Sequence, residues 1–456
     1  MQNLSKILYL AFLKKLKRDI VDKLDFRSQD FSQTGKAMYE LACELFPIPR
    51  SITGQGFRDS LEILNKTLGG GGILKFHSIK SGTKVFDWIV PDEWNAKEAY
   101  IITPEGEKIC DFKKHNLHLL NYSEAIDKEI ELEELQDHLY SIEEMPDAIP
   151  YVTSYYKRRW GFCLTHNERK KLKKGKYKVY IDAKHDENGV LDYADFILPS
   201  TQNSKDEILI STYLCHPSMA NNELSGPVVA IFLAKWLLGL KERKYNYRFV
   251  IIPETIGSIV YLSKHLEHLK KYVKAGFVLS CLGDDHAYSL IHTPKENTLS
   301  DKVALHTLKN KENFKAFSFL DRGSDERQYN APLVNLGIVG VCRTRYLEYE
   351  QYHTSKDNLN FISEKGLMGG LQSMQEMILN LEINAVYKNT IVCEPNLGKR
   401  GLYHTLSTAN DIPLACNFLA YCDGENDIID IANILNMQAY EFKELLKKIK
   451  FYGLVK

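Results

Sequence analysis

The chain of 456 residues, 44% hydrophobic and 26% charged, is long enough to fold as roughly two to four domains. Lys plus Arg and Asp plus Glu total 59 each, so net charge gives no argument for a nucleic-acid or membrane partner. The nine cysteines are scattered with no CxxC pair, which suits a reducing, cytoplasmic setting and excludes a disulfide-built scaffold.

Apolar residues at helical spacing predict helices over 4–24, 33–46 and 57–68. The run Ile7–Leu13 in the first is too short to span a bilayer and is followed by lysines, so it reads as one face of an amphipathic helix. The loop Pro47-Ile48-Pro49-Arg50-Ser51-Ile52-Thr53-Gly54 is rich in turn formers. Residues 1–68 are assigned to the N-terminal part of the core. Gly69–Gly72 lack a following Lys-Ser/Thr and read as a flexible link, not a phosphate loop. Strand-like runs at 73–79, 85–90 and 99–103 then predict an inserted β-rich domain over 69–145.

From 146 to 390 short apolar strands alternate with amphipathic helices. Residues 177–184 and 191–198 read as an antiparallel pair. Strands are expected at 208–214, 248–253, 276–282 and 334–342, with helices at 227–240, 258–271, 301–309 and 362–381. This alternation predicts a three-layer α/β core around a mostly parallel sheet, whose sites collect at the carboxyl ends of the strands. The final stretch, 391–456, has the helix–turn–helix cadence of a winged helix. From Pro413 onward it carries five lysines against six acidic residues, which favours a protein contact or association of copies over nucleic-acid binding.

Several polar residues fall at predicted strand ends. His216 follows the strand 208–214, and Asn222 stands just before a helix. Glu254 closes the strand 248–253 as either a ligand or a general base. Asp325 sits in Gly323-Ser324-Asp325-Glu326-Arg327. Arg343 and Arg345, spaced i, i+2, suit bidentate contact with a substrate carboxylate or structural ion pairs. His353 precedes a polar turn and a long helix. Each alone reads equally well as structural.

Taken in order, Cys215-His216-Pro217-Ser218, Asn222-Glu223-Leu224-Ser225-Gly226, Gly323-Ser324-Asp325-Glu326-Arg327 and Tyr352-His353-Thr354-Ser355 resemble the zinc exopeptidase superfamily of leucyl aminopeptidase, glutamate carboxypeptidase II and glutaminyl cyclase. They are most similar to a bacterial aminopeptidase-like branch with an inserted β domain and a terminal winged helix. The resemblance implies His216 and His353 as metal ligands and Glu254 as one of the family's paired glutamates. It also implies Arg343, Arg345 and Asn222 as substrate contacts. Three positions depart from the pattern: the metal-bridging aspartate falls at Asn222, the second glutamate at Thr255, and a further aspartate near Cys281. A neutral amide is a poor zinc ligand, so one zinc ion held by His216, His353 and Asp325 is expected. The implied function is hydrolysis of a small amide or aminoacyl substrate, in surface-polysaccharide metabolism. The alternative is a non-catalytic scaffold on a degenerate peptidase fold.

Overall fold

The computed structural model describes residues 31–400, 402 and 414–456. The helix expected over 4–24 lies outside the described residues. The chain divides into two compact units. The larger comprises 34–301 and 312–371; the smaller comprises 302–311 and 372–456, with the described residues up to 33.

In chain order the larger unit begins with α1 (Phe31–Leu45) and α2 (Gln55–Leu68), then β1 (Lys75–Lys80), β2 (Glu93–Ile102) and β3 (Ile126–Glu131). It continues with β4 (Lys176–Asp186), β5 (Val190–Leu198), β6 (Glu207–Tyr213), α3 (Ser225–Gly239), β7 (Asn246–Ile252), α4 (Ile256–Tyr272) and β8 (Val273–Leu279). After β9 (Tyr288–Ile291) come β10 (Phe314–Phe317) and β11 (Ile338–Cys342), while α5 (Leu299–Leu308) and α6 (Glu364–Ile383) begin in the larger unit and run into the smaller from 302 and 372.

Eight strands form one sheet in the order β1-β5-β7-β6-β8-β11-β9-β10. The pairs β7/β6, β6/β8, β8/β11 and β9/β10 are parallel; β1/β5, β5/β7 and β11/β9 are antiparallel. The central strands read as unbroken apolar runs because both of their faces are covered, and every residue of β6 is buried. The helix α3 is apolar on almost all sides and buried over most of its length, as a core helix must be. Its start lies so close to the sheet that a Cβ on Gly226 would meet Leu279 O at 2.4 Å and Thr212 Oγ1 at 2.5 Å. Only glycine fits there.

The segment 177–184 does not pair with 191–198. β4 is the long strand of a separate four-stranded sheet, ordered Lys108–Ile109, β2, β4, β3, while β5 pairs with β1 and β7 in the main sheet. The turn 187–189 therefore carries the chain from one sheet to the other. Likewise β1, read from sequence as the first strand of the insertion, is the edge strand of the main sheet.

In the smaller unit, β12 (Val386–Lys388) pairs antiparallel with β13 (Asp423–Asp427), among α7 (Leu414–Ala420), α8 (Ile428–Ile434) and α9 (Lys443–Phe451). Asp427 and Asp430 form a capping box that starts α8. The chain end returns to this sheet, with Asn389 bridging Val455. This is a winged-helix arrangement. Among the described residues no helix is long and apolar enough to cross a membrane.

Candidate functional site

The strand order reverses around β6: the chain leaves it through α3 for β7 on one side, and β8 lies on the other. Such a switch point opens a crevice at the carboxyl ends of the strands. His216 follows β6, Glu254 follows β7, Cys281 follows β8, and Arg343 follows β11.

His216 is buried, and its two ring nitrogens face different partners. Nδ1 lies 2.9 Å from Glu223 Oε2, and Nε2 lies 3.7 Å from Glu254 Oε2. The His353 ring stands 5.3 Å from that of His216, centroid to centroid. Tyr352 stacks on His353 at 3.9 Å, and Tyr151 packs against both histidines. Tyr151 N–H also donates to His353 O at 2.8 Å, which helps hold that residue at φ 56°, a left-handed conformation. Burial above all keeps both imidazoles neutral, each lowered to about 3, helped for His216 by Arg50 and for His353 by His216. Neutral imidazole is the form that binds metal.

Glu254 is presented by a strained turn. Thr255 has φ 65° and ψ −73°, and Ile256 N–H donates to Glu254 O at 2.8 Å. That is a γ-turn with positive φ, which is costly for a β-branched residue. Asp325 holds it: its Oδ1 accepts from Thr255 N–H and from Ser258 Oγ, both at 2.8 Å. Asp325 Oδ2 is buried without a partner. Burial and the neighbouring Asp325 raise the Glu254 carboxyl to about 8, and burial raises Asp325 to about 6. Two buried carboxyls side by side, without a cation, compete for protons.

Asn222 lies in the π-helical turn Ala220–Leu224 that leads into α3. Its backbone N–H donates to Asp357 Oδ2 at 2.9 Å, and its Nδ2 donates to Tyr213 OH at 3.1 Å. Its Oδ1 is buried with no partner. Cys281, with φ 50°, is fully buried, and its Sγ lies 3.9 Å from Asn222 Nδ2. Burial raises the thiol well above the usual range, so it is not poised as a thiolate ligand.

Donor atoms suited to a cation lie around the crevice, though among the described residues His216, His353 and Asp325 do not bring their ligand atoms within 4.8 Å of one another. His353 Nε2 and Asp325 Oδ2 are buried orphans, and the free edge of His216 faces Glu254. Nitrogen and carboxylate oxygen are zinc's preferred ligands beside thiolate. Cys215 Sγ, His216 and Glu223 also bring ligand atoms within 4.8 Å of one another. These atoms already serve each other: Nδ1 engages Glu223, and Cys215 Sγ accepts Glu254 N–H at 3.3 Å. This trio is a support behind His216.

Arg343 and Arg345 are largely engaged by their surroundings, although Arg345 Nε is buried without a partner. Arg343 Nε donates to Ala287 O at 2.7 Å and Nη1 to Gly366 O at 3.2 Å, with the guanidinium over the Tyr288 ring. Arg345 Nη2 donates to Asp321 O, and Nη1 pairs with Glu348 at 3.2 Å. Both are buried tethers for loops around the site, because nearby carbonyls left without donors claim them first.

Three residues here were not assigned a role from sequence. Arg50, 1% exposed, donates from Nε to His216 O at 3.2 Å and lies 3.8 Å from Glu223 Oε1. Glu223 backs His216. Arg327 Nη2 donates to Thr255 Oγ1 at 2.7 Å. The available signal was the clustering of charge in otherwise turn-like or capping segments.

A switch-point crevice lined by histidines and carboxylates, on a mostly parallel sheet between helices, defines an aminopeptidase-type fold. The chain belongs to the family described as Domain of unknown function (DUF4910), whose model matches residues 39–384, and a winged helix-turn-helix model matches 385–456. It is 41% identical over 421 residues to a Clostridium acetobutylicum polysaccharide biosynthesis protein with an aminopeptidase-like domain, covering 91% of this chain and 95% of that one. A crystal structure of a C. acetobutylicum peptidase superposes with TM-score 0.86 at 38% identity, over 97% of this chain and 99% of that one. The zinc aminopeptidase BSAP of Bacillus subtilis shares the fold, with TM-score 0.53 and 13% identity over 74% of this chain and 93% of that one.

Proposed function

We propose that the chain is a metal-dependent hydrolase of a small amide or aminoacyl substrate, with Glu254 as general base. The observation that supports this reading is the pair of neutral histidines His216 and His353, rings 5.3 Å apart, with His216 facing Glu254 and with His353 Nε2 and Asp325 Oδ2 buried and unpartnered. One zinc ion, held by His216, His353 and Asp325, would supply Lewis-acid chemistry that polarises an amide carbonyl and acidifies a water. Glu254, raised to about 8 without a cation, becomes the base once a positive charge lowers it. Its carboxylate takes the proton of the attacking water and passes it to the amine as the C–N bond breaks. Tyr352 and Tyr151 hold His353, and Glu223 holds His216. Asn222 lines the site as a neutral contact for the substrate.

The name of the C. acetobutylicum relative supports a substrate from polysaccharide metabolism, such as an aminoacyl or N-acylated sugar. The free cysteines support a reducing, cytoplasmic location. The acidic balance of the winged helix supports a protein contact, including a second copy of the chain. Chelator-sensitive release of amine from N-acyl or aminoacyl sugars tests the reading, and full activity in Glu254→Gln overturns it. Asn222 and Cys281, standing where the family places acids, favour one alternative, a non-catalytic scaffold. Absence of bound metal after zinc loading would establish that alternative.

A further inference from the structure

Four large apolar side chains stand exposed on two neighbouring segments of the larger unit: Phe86 at 54%, Trp88 at 37%, Ile89 at 56% and Tyr156 at 57%. Trp88 and Tyr156 meet edge to face, ring centroids 5.5 Å apart. The first three lie on a hairpin in which Lys84–Val85 pairs with Trp88–Ile89 across the two-residue turn Phe86-Asp87. Phe86 has φ 54°, a left-handed conformation that this turn position normally gives to glycine or asparagine. The bulky ring costs backbone energy there and, being exposed, recovers little by burial. An exposed apolar cluster of this kind marks a binding surface.

The cluster adjoins the crevice. Lys84–Val85 packs against α4, which starts two residues after Glu254. Tyr155, the neighbour of Tyr156, places its hydroxyl 2.6 Å from that of Tyr151, which packs against His216 and His353. The chain from Tyr151 to Tyr156 spans at most about 18 Å, so one elongated substrate can touch both places. Charged groups are interleaved with the rings. Asp87 separates Phe86 from Trp88, and Arg158, two residues past Tyr156, pairs with Asp92. A lipid tail or an apolar peptide would strip water from these groups without replacing it. A sugar ring suits both kinds of surface: its C–H face lies on an aromatic ring while its hydroxyls meet carboxylate and guanidinium.

We propose that Trp88 and Tyr156, with Phe86 on the same hairpin, form a platform at the rim of the crevice that stacks a sugar ring. The inserted hairpin then selects substrates that carry a sugar beyond the scissile amide. That the stacked sugar belongs to a substrate rests on the amide-hydrolase reading; the stacking itself needs no metal ion.

Saturation-transfer NMR on the full chain, with and without zinc, tests this with three probes. They are methyl N-acetyl-α-D-glucosaminide, N-cyclohexylacetamide as an apolar ring of similar size, and N-methylacetamide as the bare amide. The glycoside is expected to bind in both states, about fivefold more tightly than either control, with saturation strongest on its ring C–H protons. Trp88→Ala and Tyr156→Ala should each weaken it about five- to tenfold, and Trp88→Phe, which keeps an aromatic face, should weaken it less. Equal binding of the glycoside and the cyclohexyl amide overturns the sugar assignment. No glycoside binding, or binding unchanged in Trp88→Ala, overturns the platform. Sedimentation velocity covers the remaining occupant: self-association that Trp88→Ala abolishes would assign the cluster to a second copy and overturn the proposal. Thermal melting confirms that the variants are folded. Chromatography of the same samples reports amine release, so Trp88-dependent sugar binding without turnover supports the platform and refutes only the hydrolase reading.

Discussion

Glu223 Oε2 lies 2.9 Å from His216 Nδ1, and this contact leaves His216 Nε2 as the nitrogen that faces Glu254. Arg50 stands behind the pair, 3.8 Å from Glu223 Oε1 and bonded to His216 O. A carboxylate behind a metal histidine fixes its tautomer and raises its basicity. Replacing Glu223 by Gln preserves the shape and removes the charge. Zinc affinity is expected to fall by about 10- to 100-fold, as removal of such outer partners does elsewhere. Competition with a fluorescent chelator measures this, and unchanged affinity would show that Glu223 acts only in packing.

Without metal, burial raises the carboxyls of Glu223 and Glu254 each to about 8. The folded chain then binds more protons than the unfolded chain between the ordinary carboxyl range and pH 8. Stability falls with rising pH wherever the native state holds the extra protons. The lowered histidines act in the opposite direction, but only below their ordinary value of 6.5. Metal-free protein is therefore expected to lose thermal stability from about pH 7 to about pH 8.5. Bound zinc should flatten this slope because it favours the carboxylate forms, and Glu223→Gln with Glu254→Gln should flatten it without metal. A metal-free melting temperature that rises over that range contradicts the electrostatics.

Arg343 donates to the carbonyls of Ala287 and Gly366 and lies over Tyr288. Its replacement by Lys should act on stability, with a loss of about 2–4 kcal/mol from unpaired buried carbonyls and lost stacking. In a folded fraction, KM for an amide substrate should be unchanged. Denaturant unfolding and steady-state kinetics separate the two effects, and a raised KM at unchanged stability would return Arg343 to the substrate.

Much of the core was legible because its strands are buried on both faces. The apolar runs at 208–214, 248–253 and 276–282 appear as β6, β7 and β8 with ends displaced by only a few residues. His216 and Glu254 could be placed because side chains just past such strands must emerge in the crevice. The pairing of β4 and β5 was not legible: adjacent strands joined by a short turn normally pair, and nothing local says that one belongs to another sheet. Spacing showed that Arg343 and Arg345 share a strand end, suited to a substrate carboxylate or to structural ion pairs, but not which carbonyls they meet. Arg50 was hidden for a related reason. Its loop is turn-like in composition yet buried from Arg50 to Thr53, and burial of a loop depends on chain distant in sequence.

The central claim is that His216 and His353, far apart in sequence and 5.3 Å apart ring to ring, hold one metal ion. Plasma emission spectroscopy of protein purified without chelator tests it most directly, on the wild type and on His216→Ala/His353→Ala. The account predicts close to one zinc per chain in the wild type and almost none in the folded double variant. No metal in the wild type after zinc loading, or equal metal in both proteins, would contradict it.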